Sequence, residues 1–171
     1  MDVLLPIHIL AGSIALASAA VALSSAKGKK THIISGRAYF WSMVVIFSTA
    51  LPMSIINNNI FLFLISIFSF YLAFSGARFA QNRGGIPTIL DWIAVGFMMF
   101  SGISMWVLSA IYYFDDNSQF ITLLVFGSLA NSLGFTDLRS YKNKTTQGKE
   151  RIAKHLTNMM GGTIAVTTAV L

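Results

Sequence analysis

Residues 3–30 read VLLPIHILAGSIALASAAVALSSAKGKK, a run with no Asp, Glu, Lys or Arg until three lysines arrive within its last four positions. A helix crosses a hydrocarbon core of about 30 Å with about 20 apolar residues, because each residue adds about 1.5 Å. The run meets that length. A cleaved signal peptide would carry its positive charge ahead of the apolar stretch, yet here Asp2 precedes it and Lys27, Lys29 and Lys30 follow it. Ala15, Ala17, Ala19 and Ala20 offer small-residue cleavage sites, but the charge order points to a retained first helix with its N-terminus outside.

Working outward, similar stretches recur at about 38–56, 60–80, 91–114, 120–137 and 152–171, after a first at 3–24. Hydrophobic residues form 55% of the chain and charged residues 11%, with mean hydropathy +0.69, which makes lipid a better solvent than water. The expected fold is therefore all-α: one domain over residues 1–171, an integral membrane bundle of six transmembrane helices. No length is left over for a soluble domain or a repeat.

All twelve Lys and Arg residues fall at the odd-numbered connections. Lys27, Lys29, Lys30 and Arg37 surround the first, Arg78 and Arg83 the third, and Arg139, Lys142, Lys144, Lys149, Arg151 and Lys154 the fifth. Short basic loops remain in the cytoplasm, so both termini are expected on the outer side of the membrane. The net charge of +6 then reads as an orientation signal beside anionic lipid, and nucleic acid is not an expected partner. The sequon at Asn143 falls on the cytoplasmic side and carries no glycan on this topology. With no cysteine, disulfides, thiolate metal sites and cysteine nucleophiles are excluded.

Small residues let helices approach closely in lipid. His8, Gly12, Ala15 and Ala19 share one face of the first span, extended by Ala11. Gly96 with Gly102, Gly127 with Gly134, and Gly161 with Gly162 are expected contact points. Phe61, Phe63, Phe68 and Phe70 read as lipid-facing or space-filling. Thr88 and Asp91 form a capping pattern after Pro87. Tyr39, Trp41, Trp92, Tyr112 and Tyr113 read as interface anchors. Met98, Met99 and Met105 read as core filler rather than a copper box.

Ionisable groups at membrane depth are costly and few here. His8 lies about 7 Å into the first span, and reads as a neutral imidazole bonded to a neighbouring helix more readily than as a ligand or proton carrier. Asn131 and Asn158 read as interhelical hydrogen-bonding groups. Asp137 ends the fifth span where the helix dipole opposes its charge, and Arg37, Arg78, Arg139 or His155 are candidate partners. A cytoplasmic-side cluster of His32, Arg37, Asp137, Arg139 and His155 is the sharpest site expectation. Its equally weighted alternative is a set of snorkelling cations and one structural ion pair. A haem held by His32 and His155 is a minor expectation, because His32 is read in the first loop, outside the bilayer. His155 and Met159 share one helix face and cannot bind opposite faces of one haem. The spacing of His32, His155 and Asp137 is no metal signature, and no metal is specified.

The motifs His8-x-x-Ala11-Gly12, His32-x-x-x-Gly36-Arg37-x-Tyr39, Asp137-x-Arg139 and His155-x-x-x-Met159-x-Gly161-Gly162-x-Ile164-Ala165 resemble a family of bacterial inner-membrane proteins classed as a domain of unknown function. The resemblance implies the same membrane address and polar positions, and no activity. Relatives in that family tend to continue beyond a sixth span, so an outer-side partner for His8 from a further helix is not expected within these residues.

No phosphate loop, nucleophile elbow or zinc-protease helix occurs, which disfavours a hydrolase or an ATP-driven pump. The leading expectation is a non-enzymatic binding, sensing or accessory component, partnered by the lipid bilayer and open to self-association or a second membrane protein. The alternatives are a haem- or quinone-linked electron-transfer protein, and a small-solute or proton carrier using His8 and Asn131.

Overall fold

The computed structural model describes residues 2–170 and contains six helices: α1 Leu4–Ser24, α2 Lys30–Ile56, α3 Ile60–Gln81, α4 Ile89–Phe114, α5 Gln119–Asn143 and α6 Gly148–Val170. Leu171, the end of the sixth expected span, lies outside the described residues. Of these helices, α1 to α5 are long and apolar enough to cross a membrane. The expected sixth span is also a helix, but Lys149, Glu150, Arg151 and Lys154 occupy its first two turns and dilute its hydropathy.

The helices outrun the apolar segments that mark them. α2 has 27 residues and begins eight residues before the expected 38–56 stretch, so His32 and Arg37 lie on a helix and not in a loop. At about 1.5 Å per residue α2 is about 40 Å long, matching a bilayer with its headgroup regions and not the hydrocarbon alone. Hydropathy stops at the hydrocarbon boundary. Backbone hydrogen bonding does not.

α3 is the hub of the bundle, with α2 and α6 against one side and α4 against another. Leu64, Phe68, Tyr71, Leu72 and Phe79 join Val95, Met98 and Met105 of α4 and Leu123, Ala130 and Tyr141 of α5 in the larger core. Across α3, Ala73 meets a smaller core of Ala15, Ala19, Tyr39, Met43 and Val166. Phe61, Phe63 and Phe68 are space-filling, as is Phe70, which stacks on Phe47 of α2 at 4.4 Å. Lipid-facing surface is supplied elsewhere, by residues such as Trp41, Phe97, Phe100, Ile121 and Leu124.

Close approach explains several glycines. A Cβ on Gly76 would lie 2.9 Å from Cγ of Met159 and 3.2 Å from its backbone nitrogen, so α3 and α6 pack through a bare backbone. Gly102 and Gly127 meet each other's helices, where Gly102 faces Asn131 and a Cβ on Gly127 would lie 2.9 Å from the Gly102 carbonyl. A Cβ on Gly162 would strike the Tyr39 hydroxyl at 2.7 Å, and Tyr39 is buried there rather than anchored at the interface as its position near a span end suggested. Gly96 meets nothing within 4 Å and is not a contact point. Met98 and Met105 are fully buried filler, as expected.

The capping expectation at α4 is met: the Thr88 amide donates to Asp91 Oδ2 at 2.7 Å in a capping box. Arg78 adds a forked pair, with Nε and Nη2 donating to the two Asp91 oxygens at 2.7 and 2.8 Å. The third connection is thereby fastened at the same end of the bundle as the first and fifth. Thr146 and Gln147 of the fifth connection donate to the carbonyls of Gly85 and Gly84, and Arg151 donates to those of Phe79 and Ala80. The connections that carry the basic residues thus cluster at one pole.

Gly76→Leu is expected to wedge α3 from α6 and cost about 1–3 kcal/mol. Gly96→Ala is expected to be neutral or stabilising by up to about 1 kcal/mol, because the position is open and helical. Thermal unfolding of both variants in detergent distinguishes the two behaviours.

Candidate functional site

The expected five-residue cluster separates into two arrangements at the basic pole, with two residues in neither. His32 on α2 and His155 on α6 come together, their rings 6.4 Å apart and perpendicular at 89°. Asp137 lies apart from them, buried on α5. Arg37 and Arg139 are exposed and make no ion pair among the described residues.

Both histidines are held in the same way. His32 Nδ1 lies 3.0 Å from the Ala22 carbonyl at the end of α1, and His155 Nδ1 lies 2.8 Å from the Gly76 carbonyl of α3. A carbonyl only accepts, so each neutral ring must carry its proton on Nδ1 and present a lone pair on Nε2. A second hydrogen bond of this kind is how proteins orient metal-binding imidazoles. The rings line a cavity of about 440 Å³ between α1, α2 and α6. Its walls are apolar, from residues such as Ala19, Ile33, Leu156 and Met160, and Lys27, Arg83 and Arg151 stand among its lining. Tyr39 also lines it. The Tyr39 hydroxyl is buried against Gly162 of α6, with Thr163 beside it as the nearby acceptor.

Gly36 sits one helical turn after His32 and lines the same cavity, with no protein atom within 4 Å of where its Cβ would stand. Glycine inside a helix costs about 0.5–1 kcal/mol relative to alanine. Packing between helices gives no reason for it at this position. The bare backbone instead leaves a flat wall beside the imidazole.

Asp137 has a different role. Its Oδ1 accepts from Lys154 Nζ at 2.7 Å, and its Oδ2 accepts from Tyr71 at 2.6 Å and Ser75 at 3.2 Å. Lys154 is itself 9% exposed and lies 5.6 Å from the Phe79 ring centre. The cation is therefore Lys154, and not Arg37, Arg78, Arg139 or His155. Arg78 is spent on Asp91, and the exposed Arg37 and Arg139 make no ion pair among the described residues. Asp137 lies six residues before the end of α5 and Lys154 six residues after the start of α6, so both stand at matched depth from one connection, a match that emerges only from the observed helix ends. α5 and α6 otherwise pack on different neighbours.

His8 bonds Thr49 of α2, with Nδ1 2.8 Å from Oγ1, while the Thr49 hydroxyl donates to carbonyls within α2. It borders a second cavity of about 430 Å³ at the opposite pole. Asn131 is not near it. Asn131 packs against Gly102 between α4 and α5, its Nδ2 buried without a partner, so the residues expected to serve one carrier path occupy different parts of the bundle. Among the described residues no three His, Cys, Asp or Glu groups gather as a metal site.

The fold and its apolar helices define a multi-pass helical membrane protein. Compared with known proteins, the chain matches no family model, no curated protein and no solved structure.

Lys154→Met should destabilise strongly, by about 3–5 kcal/mol, because it leaves Asp137 buried without its cation. Adding Asp137→Asn should recover part of that loss, since the remaining group is uncharged. Arg37→Ala should change stability by no more than about 0.5 kcal/mol, as expected of an unpaired surface group. Thermal unfolding of purified protein reads all three.

Proposed function

We propose that this chain is a six-span protein of the bacterial cytoplasmic membrane, with both termini outside, that works as a non-enzymatic binding component. Its ligand lies in the cavity between His32 and His155. The observation that carries this reading is the pair of imidazoles, each with Nδ1 committed to a carbonyl, facing one cavity from different helices. Binding sites for small molecules are commonly cavities of about 300–1,000 Å³, apolar with a few placed polar groups. This one has that size and lining.

The chemistry of the lining selects the ligand class. Apolar walls favour a flat or aliphatic body, and Lys27, Arg83 and Arg151 favour an anionic end. An amphipathic anion answers both. The orientation rests on the gathering of all basic connections at one pole, where short Lys- and Arg-rich loops are retained on the cytoplasmic side. α6 completes the sixth crossing in this reading, with its charged first turns at that surface and its later residues, from Leu156 onward, in lipid. The motif likeness to a bacterial inner-membrane family is consistent with that address. Neither nucleic acid nor a catalytic reaction is part of the reading.

Two experiments test it. In intact cells a membrane-impermeant maleimide should label Asp115→Cys and spare Lys29→Cys, which the cysteine-free background makes unambiguous; the reverse pattern overturns the orientation. In native mass spectrometry, wild-type protein should retain a bound small molecule that Gly36→Trp excludes, while both keep the same helical content. Retention that Gly36→Trp leaves unchanged places the ligand elsewhere.

A further inference from the structure

We infer that the occupant of this cavity is a haem whose iron is held between Nε2 of His32 and Nε2 of His155. The inference rests on the reading of the cavity as a ligand site and adds the identity of the ligand.

Distance is the first argument. A metal bonds an imidazole nitrogen at about 2.0–2.1 Å, and the ring centre lies about 1.1 Å beyond that nitrogen, so two rings on opposite sides of one metal have centres about 6.3 Å apart. The observed separation is 6.4 Å, from two separate helices. Rings bound at an angle to one another around a tetrahedral ion would sit closer. The spacing therefore suits ligands that oppose each other across a metal.

Coordination number is the second argument. Among the described residues no third His, Asp or Glu joins the pair. A bare divalent ion in the cavity would be left short of protein ligands. A porphyrin brings four nitrogen ligands of its own and asks the protein only for the two axial positions, which a pair of opposed histidines supplies.

The cavity itself is the third argument. A two-coordinate ion such as Cu(I) needs no space of about 440 Å³ and no cationic lining. A haem needs both: apolar walls for the macrocycle and cations for its two carboxylates. Ile33, Leu156 and Met160 fit the first need, and Lys27, Arg83 and Arg151 the second. Gly36, one turn after His32 and without a protein neighbour within 4 Å, lets a flat ring lie against the α2 backbone beside its own ligand. The Nδ1 hydrogen bonds to Ala22 and Gly76 fix both rings with Nε2 available for iron.

The test is to titrate haemin into detergent-purified protein and read its visible and electron paramagnetic resonance spectra. Wild-type protein should take one haem per chain and show six-coordinate, low-spin iron. His32→Ala and His155→Ala should each give five-coordinate, high-spin iron or lose the Soret band. His155→Met, which keeps a side chain of similar length in the cavity, should remain six-coordinate with displaced bands and so guards against a fold defect in the alanine variants. Saturating haemin that yields no Soret shift overturns the inference, as does a low-spin spectrum indifferent to both alanine variants. One copper per chain with no porphyrin overturns it in favour of a bare-ion site. If haem fails while a small molecule excluded by Gly36→Trp is still retained, the cavity reading survives and only the haem assignment falls.

Discussion

One buried ion pair sets the rotation of the helix on which the site depends. Lys154 and Asp137 meet across a gap that their helices do not close by packing, and Tyr71 and Ser75 of α3 complete the carboxylate's shell. A lysine left without a partner at that depth would be costly, so α6 is constrained to turn Lys154 toward α5. Successive residues on a helix are about 100° apart. The same constraint therefore turns His155 away from α5, toward Gly76 of α3 and His32 of α2. Asp137, read in the sequence as part of the site, instead aims it through Lys154.

The fold was legible wherever one residue type answered one physical demand. Apolar length marked the helices, the lysine and arginine distribution marked one pole, and Thr88 with Asp91 announced the start of α4. On the small face of α1, Ala11, Ala15 and Ala19 are buried as the spacing implied, whereas Gly12 is only half-buried and meets nothing within 4 Å. Hydropathy failed at the membrane surface, where it cut α2 short and put His32 in a loop. Helical hydrogen bonding carries on through the headgroup region, and the extra turns bring His32 level with His155.

Partner choice was the less legible part. Asp137 had several cations within reach of the same surface, and sequence position alone does not rank them. Rotation about each helix axis does, and it comes only from packing. The burial of Tyr39 depended on Gly162, a residue of another helix that provides the room. Gly76 passed unnoticed among the bulky residues of α3, although it sets the separation of α3 and α6. Such pairings join positions far apart in the chain, and a single sequence holds no record of them.

The two cavities lie at opposite poles and come within one helical turn of each other on three helices. Leu16 and Ala19 of α1, Met43 and Tyr39 of α2, and Val166 and Thr163 of α6 belong to one or the other in turn. Ala15 lies between the two cavities, and Met43 and Val166 close the floor of one of them, all three apolar and packed in one cluster. Water needs polar partners to persist inside protein, and this septum offers almost none. The two hollows are therefore not joined by a polar path, and a packed partition about one helical turn thick keeps the contents of one from reaching the other.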